Sequence, residues 1–144
     1  MTGPIVVGVD GSETAERAAA RAKQLAVALG ARLHIVSAFD TDRTEVLGSG
    51  SDTWIVSDAD TTVAIAKQTA SALEAPGLTV TYSAARGKPA EAIVAEAERL
   101  DAQMIVVGNR GMQGLGRLLG SVANKVAHSA PCDVYIVKTV GSQP

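Results

Sequence analysis

Aromatic residues are scarce in this chain of 144 residues, where they make up 3% of the sequence against 47% for all hydrophobic residues. A core must therefore be built from Ala, Val, Leu and Ile, which commonly fill buried parallel strands and close-packed helices. So few rings offer no stacking platform for bases, and a formal net charge of −2 creates no general attraction for nucleic acid. We expect an α/β protein that binds no nucleic acid.

Cysteine is almost absent, since Cys132 is alone and can form neither an internal disulfide nor a thiolate zinc site. The two histidines, His34 and His128, are far apart in sequence, and we assign them no metal and no catalytic role. No apolar run approaches the roughly 18 residues of a membrane span, and the N-terminus lacks a signal-peptide pattern. The sequence predicts a cytoplasmic protein without a membrane segment.

Short apolar runs alternate with helical patterns along the whole chain. We expect strands over residues 5–9, 33–39, 78–84, 104–107 and 133–137. We expect helices from Ser12 to Gly30, which would cap the two ends, over 63–73, from Pro89, and over 121–129. Residues 40–58 show no strong period and are interpreted as a loop that could act as a lid.

This alternation predicts right-handed βαβ crossovers. We therefore expect a single domain over residues 1–144, with an open, parallel five-stranded sheet and helices on both faces. In such a Rossmann-like sheet, ligands bind beyond the carboxyl ends of the strands, where the strand order reverses. The residues that directly follow the strands are accordingly the candidates for a binding site.

The turn after the fourth predicted strand contains five glycines between Gly108 and Gly120. Glycine lets the backbone approach a ligand closely, and successive N–H groups can form a concave anion site. The helix start at Gly120-Ser121 adds N–H donors and a favourable dipole, and we expect Gly120 to adopt a conformation that is strained for other residues. These features predict a phosphate-binding segment.

Charge supports this interpretation, because residues 102–132 contain no Asp or Glu but do contain Arg110, Arg117 and Lys125. The alternative is a flexible hinge with solvated basic side chains. A P-loop does not fit, since Gly111 and Gly116 are followed by Arg117-Leu118 instead of Lys and Ser or Thr. A dinucleotide fingerprint does not fit either, because the first predicted strand is not followed by the required glycine triplet.

Five stretches together form a specific pattern: Val-Gly-Val-Asp-Gly-Ser at 7–12, Gly-Lys-Pro at 87–89, Val-Val-Gly-Asn-Arg-Gly at 106–111, Leu-Leu-Gly-Ser-Val at 118–122, and Ala-Pro-Cys-Asp-Val at 130–134. In these stretches the chain resembles the universal stress proteins, in particular their ATP-binding branch. The branch pattern is Gly, two residues, Gly, nine residues, then Gly and Ser or Thr. Gly108, Gly111 and Gly120-Ser121 match it, with eight residues between the second and third glycines. The resemblance implies an adenine nucleotide alpha hydrolase-like fold.

The resemblance also implies a site for ATP, with Mg²⁺. It places Gly8, Val9 and Asp10 around the adenosine, and the backbone of Ala38 against adenine. The remaining implied residues line the ribose and phosphates; they are Val107, Gly108, Arg110, Gly111, Gly120, Ser121 and Val122. From the residues alone, Asp10 and Ser12 could instead cap the first helix, and Ala38 and Val107 could be ordinary core residues.

The function that follows is an ATP-binding regulatory protein of the stress response, with at most slow hydrolysis and no assigned catalytic residue. Two alternatives stay open: an AMP or cyclic AMP binding protein of the same fold, and an ATP-dependent enzyme that uses residues 40–58 as a lid. The last predicted strand is apolar and lies at a sheet edge, which must be covered or paired. The resemblance implies that two copies of this strand meet antiparallel in a homodimer.

Overall fold

The computed structural model describes residues 2–40, 44–47, 54–109 and 119–139. Its strands are β1 (Ile5–Gly8), β2 (Leu33–Phe39), β3 (Thr44–Leu47), β4 (Trp54–Ser57), β5 (Val80–Arg86), β6 (Met104–Gly108) and β7 (Asp133–Val137). Its helices are α1 (Glu13–Leu29), α2 (Asp58–Ala72), α3 (Pro89–Arg99) and α4 (Ser121–Ser129). None of these described helices is long and apolar enough to cross a membrane.

Five strands form one parallel sheet in the order β5-β2-β1-β6-β7. Helices α1 and α2 cover one face, mainly through buried alanines, while α3 and α4 cover the other. The central strand β1 sends Ile5 and Val7 to the first layer and Val6 to the second, as alternation along a strand requires. The predicted open five-stranded sheet with helices on both faces is confirmed.

The predicted caps of α1 are also confirmed. The Ser12 hydroxyl accepts a hydrogen bond from the Ala15 N–H at 3.2 Å. At the other end, Gly30 has a φ of 64°, the left-handed conformation that glycine adopts without a steric penalty. Local sequence signals therefore fix both ends of this helix.

The expectation of a loop over residues 40–58 is wrong for the part that the structure describes. Strands β3 and β4 pair antiparallel, with Thr44 opposite Ser57 and Leu47 opposite Trp54, and α2 already begins at Asp58. A strand of four residues is too short for the alternation of apolar and polar residues to be recognised in the sequence. The rest of the lid candidate, residues 41–43 and 48–53, lies outside the described residues.

A cluster of polar side chains lies between β2, β5 and α3, and we call it the His34 cluster. The imidazole of His34 contacts Thr81 Oγ1 through Nδ1 at 2.7 Å, and Ser83 Oγ and Glu96 Oε2 through Nε2 at 2.9 and 3.0 Å. The Ser83 hydroxyl donates to Glu96, and the Arg99 guanidinium donates to both carboxylate oxygens at 2.7 and 2.9 Å. These contacts join the edge strand β5 to its neighbour and to the helix above.

Burial and hydrogen bonding shift the pKa values of His34 and Glu96 in the His34 cluster. Burial lowers the pKa of His34, with an opposing contribution from Glu96. The hydrogen bonds from Arg99 are the main cause that lowers the pKa of Glu96 to about 2, and those of Ser83 and His34 act in the same direction. The carboxylate is thus held in its charged form by its own donors.

Candidate functional site

A pocket opens at the carboxyl ends of the central strands. The strand order reverses at β1, which has β2 on one side and β6 on the other, and this is where α/β sheets bind ligands. The described residues that line the pocket are Gly8, Val9, Asp10, Ser12, Thr14, Ala15, Val36, Ala38, Pro89, Val107, Gly108, Gly120, Ser121, Val122 and Ala123. They come from the ends of β1, β2 and β6, from the turns before α1 and α4, and from the first turns of α1, α3 and α4.

Nine of the eleven site residues predicted from the sequence line this one pocket: Gly8, Val9, Asp10, Ala38, Val107, Gly108, Gly120, Ser121 and Val122. The other two, Arg110 and Gly111, lie outside the described residues, as does Arg117. Six further lining residues were not predicted from the sequence: Ser12, Thr14, Ala15, Val36, Pro89 and Ala123. Ser12 and Pro89 could have been found, because both were already predicted to begin helices that follow strands.

Three helices, α1, α3 and α4, point their N-termini at the pocket, because residues of each first turn or cap line it. In α4 the first intrahelical hydrogen bond runs from the Asn124 N–H to the Gly120 carbonyl at 2.9 Å. The N–H groups of Ser121, Val122 and Ala123 precede that bond and belong to the first turn. Such a turn, with the positive end of the helix dipole, favours an anion.

Gly120 differs from its expected conformation. Its φ of −63° and ψ of 156° are extended backbone that any residue adopts, so the expectation of a strained conformation is wrong. Its N–H donates to the Asn109 carbonyl at 2.8 Å and is therefore already used. Gly120 positions the start of α4, while donors for an anion must come from the residues that follow it.

The turn between β1 and α1 is held by its own side chains. Asp10 Oδ1 accepts the Ser12 N–H at 2.9 Å, and Gly11 between them has a φ of 85°, which glycine tolerates best. Ser12 is the N-cap of α1, so the capping alternative holds for that residue. A carboxylate has several acceptor positions, so Asp10 can support the turn and still accept hydrogen bonds from a ligand hydroxyl.

Gly8 lines the pocket, and its lack of a side chain makes room for a residue of α3. A Cβ built on Gly8 would lie 2.8 Å from Ile93 Cγ1 and still nearer to Ile93 Cδ1. Ile93 is buried in the layer between the sheet and α3. Glycine at this position leaves room for the Ile93 side chain against β1, a requirement that the sequence did not reveal.

Ala38 presents its backbone to the pocket. β1 pairs with β2 only as far as Val36, whose carbonyl accepts the Val9 N–H at 2.9 Å, whereas β2 continues to Phe39 along β5. Because backbone groups alternate in direction along a strand, those of Ala38 point to the same side as those of Val36. They face the space beyond the end of β1, where a flat ligand edge can pair with them.

The parallel sheet, with its pocket at the reversal of strand order, defines a Rossmann-like α/β fold of the nucleotide-binding type. The model of the universal stress protein family matches residues 1–138, and the chain belongs to this family. It is similar to a universal stress protein of Thermus aquaticus, with 36% identity over 141 residues that cover 93% of this chain and 97% of the relative.

Two similar solved structures contain nucleotides. One is a universal stress protein in complex with cAMP, with 33% identity, a TM-score of 0.67, and coverage of 95% of this chain and 97% of that one. The other is the Archaeoglobus fulgidus universal stress protein in complex with dAMP, with 28% identity, a TM-score of 0.64, and coverage of 94% and 98%. Family membership is thereby confirmed, and nucleotide binding occurs among proteins with this fold.

Proposed function

We propose that this protein is an adenine-nucleotide-binding regulatory protein of the stress response, and that ATP is its ligand. One observation supports the proposal most: nine predicted residues and the N-termini of three helices line the same pocket. The nucleotide complexes of the two similar structures support the same ligand class. Membership of the ATP-binding branch is part of this proposal.

The pocket suits each part of an adenine nucleotide. Val9, Val36 and Val107 are buried and offer an apolar surface to the base, while the backbone of Ala38 can pair with its edge. Asp10 can accept hydrogen bonds from ribose hydroxyls. The first-turn N–H groups of α4 then meet the phosphates.

Magnesium is proposed as the companion of ATP. Mg²⁺ on a nucleotide is held by the phosphates and by one or two carboxylates. Asp10 is the one carboxylate among the described lining residues, so it is the candidate for that contact. An ATP-dependent enzyme would need a second acidic or nucleophilic group from residues 40–58, of which the described lining contains none.

A smaller nucleotide, AMP or cyclic AMP, is the second candidate ligand. Two observations favour it: the cAMP and dAMP complexes of similar proteins, and the interval of eight residues between Gly111 and Gly120. A shorter segment has less backbone with which to enclose a triphosphate.

Addition of ATP should raise the melting temperature of this protein. A ligand at about 100 times its dissociation constant stabilises the folded state by roughly 2.7 kcal/mol, or about 5–11 °C for a chain of this size. Calorimetric or dye-based melting with ATP, AMP, cyclic AMP, adenosine and GTP would rank the ligands. GTP should shift the melting temperature least, because its base presents a different edge to Ala38. No shift with any adenine ligand at millimolar concentration would contradict the proposal.

Ser121→Pro distinguishes phosphate contacts from base contacts in the same assay. Ser121 is the first residue of α4, where proline fits the helix, and the extended Gly120 before it is compatible with proline. The substitution removes one N–H donor, so ATP should bind about tenfold more weakly while adenosine is unaffected. Ser121→Ala is the matched control, because it keeps the N–H and loses the hydroxyl. Equal losses for ATP and adenosine would place the phosphates elsewhere.

Homodimerisation through β7 is also proposed. Among the described strands β7 pairs only with β6, so its outer edge is open, and Ile136 is 38% exposed there. We expect the parent to sediment as a dimer at tens of micromolar and Ile136→Lys to sediment as a folded monomer. Val27→Lys, at a 59% exposed position on α1, is the control and should remain dimeric. A monomeric parent would contradict the dimer.

Three further expectations from the sequence stay predictions: one domain over residues 1–144, a cytoplasmic location, and no nucleic-acid partner.

A further inference from the structure

Asn109 lies immediately after the pocket residue Gly108 and contacts two separate parts of the chain, the start of α4 and the end of β7 with the residues that follow it. Its N–H donates to the carbonyl of Val137, the last residue of β7, at 2.7 Å. Its carbonyl accepts the Gly120 N–H at 2.8 Å. Its side-chain Oδ1 accepts the Thr139 N–H at 2.8 Å and the Thr139 hydroxyl at 3.1 Å. One residue therefore joins two sides of the pocket rim to the end of the last strand.

Thr139 is held from a second direction as well. It is only 2% exposed although it follows the last strand, and its carbonyl accepts a hydrogen bond from Arg17 Nη1 at 3.0 Å. Arg17 belongs to α1, whose first turn lines the pocket. Because a buried N–H needs an acceptor, the position of Thr139 depends on the Asn109 side chain.

We propose that Asn109 is a positioning residue that couples occupancy of the pocket to the chain segment that follows β7. The proposal rests on the proposed nucleotide-binding function and names a route for its regulation. A ligand that contacts Gly108 and the start of α4 at Gly120 restrains the covalent neighbour of Asn109 on one side and its hydrogen-bonded neighbour on the other. The side chain is then fixed in the position that accepts the Thr139 N–H.

The element with two states is the hydrogen bond between Asn109 and Thr139, which is either formed or released by local opening. Thermodynamic linkage makes the coupling reciprocal: a ligand that favours the formed state is itself bound more tightly when that state is populated. The open edge of β7 lies directly before Thr139. Nucleotide binding is therefore coupled to the strand at which we propose that a second copy binds.

Amide hydrogen exchange at Thr139, followed by NMR with and without ATP, tests the coupling. In the parent, ATP should slow exchange at Thr139 about fivefold or more, the lower end of typical coupling between sites. Asn109→Ala removes the acceptor, so ATP should no longer slow this exchange. The affinity for ATP, measured by calorimetry, should fall by about the same factor.

Gln103→Ala is the matched control. Gln103 precedes β6, at the opposite end of the strand from Asn109, and its side-chain amide donates to the Gly3 carbonyl at 2.6 Å. Its removal costs a comparable side-chain hydrogen bond away from the pocket. The affinity for ATP, and the effect of ATP on exchange at Thr139, should therefore be preserved.

Thr139→Pro is a second test variant, which removes the donor N–H instead of the acceptor. It should weaken the binding of ATP as much as Asn109→Ala does, so the coupling can still be tested if Asn109→Ala does not fold.

The possible outcomes separate this inference from the proposed function. A parent that binds none of ATP, AMP and cyclic AMP overturns both. A parent that binds ATP, while Asn109→Ala or Thr139→Pro binds it equally tightly, overturns the coupling alone. Equal losses of affinity in Gln103→Ala and Asn109→Ala reveal general destabilisation and also overturn the coupling.

Discussion

Glu96→Ala should lower the free energy of unfolding by about 3 kcal/mol, a large part of the 5–15 kcal/mol that is typical of a folded domain. Glu96 is 8% exposed, and its carboxylate accepts from Arg99, Ser83 and the buried His34. Alanine at position 96 leaves the His34 imidazole and the Ser83 hydroxyl without this partner between the sheet and α3. An unpaired buried polar group costs about 1–3 kcal/mol. Urea unfolding at neutral pH measures the loss.

The control is Glu98→Ala, on the same helix but exposed, which should change the free energy of unfolding by no more than about 0.5 kcal/mol. A double-mutant cycle with Ser83→Ala should show coupling, because each residue is a partner of the other. If Glu96→Ala and Glu98→Ala are equally stable, the His34 cluster does not contribute to stability as described.

The same cluster predicts that acid destabilises the parent protein. The folded pKa of His34 is lowered by burial, so below its ordinary value of 6.5 the unfolded chain binds a proton that the folded chain does not. The pKa of Glu96 is lowered from 4.5 to about 2, so its contribution is present above 4.5 and is lost as the pH falls toward 2. Both groups therefore act in the same direction. Urea midpoints that stay constant from pH 7 to pH 4 would contradict a buried neutral imidazole.

Gly8→Ala should cost about 1–3 kcal/mol of stability, because the new methyl group would overlap Ile93. Gly8 is paired with Val36 of β2, and Val7 before it is paired with both β2 and β6, which restrains the backbone at this position. The side chain of Ile93 would have to leave its position, and with it the close packing of α3 on the sheet. Thermal and urea unfolding of the variant and the parent give the difference.

The decisive comparison uses a second background in which Ile93 is replaced by alanine. There the overlap is removed, and Gly8→Ala should be neutral or slightly stabilising, since alanine lowers the entropy of the unfolded chain. This reversal of sign would locate the cost in the contact with Ile93. A Gly8→Ala variant that loses the same stability in both backgrounds would show a backbone cause instead.

The sequence by itself determined most of the sheet and the place of the candidate site. Apolar runs such as residues 5–8 and 104–108 are short and β-branched because strands buried on both faces need no polar face, and this pattern is visible locally. The caps Ser12 and Gly30 are equally local. Residues that follow parallel strands must meet at one edge, so the chain order predicts where the site lies. The family resemblance implied the individual residues, and nine of them line one pocket.

Contacts between distant residues were decided only by the tertiary structure. His34 meets Thr81 and Glu96, which are 47 and 62 positions away, because strand register and the rotation of α3 bring them together. Position 8 favours glycine because the Ile93 side chain of α3 packs against it. The N–H of Gly120 donates to the Asn109 carbonyl. The hydrophobic pattern of the sequence predicts which residues are buried. Which partner a buried residue contacts depends on how separate helices and strands pack in three dimensions.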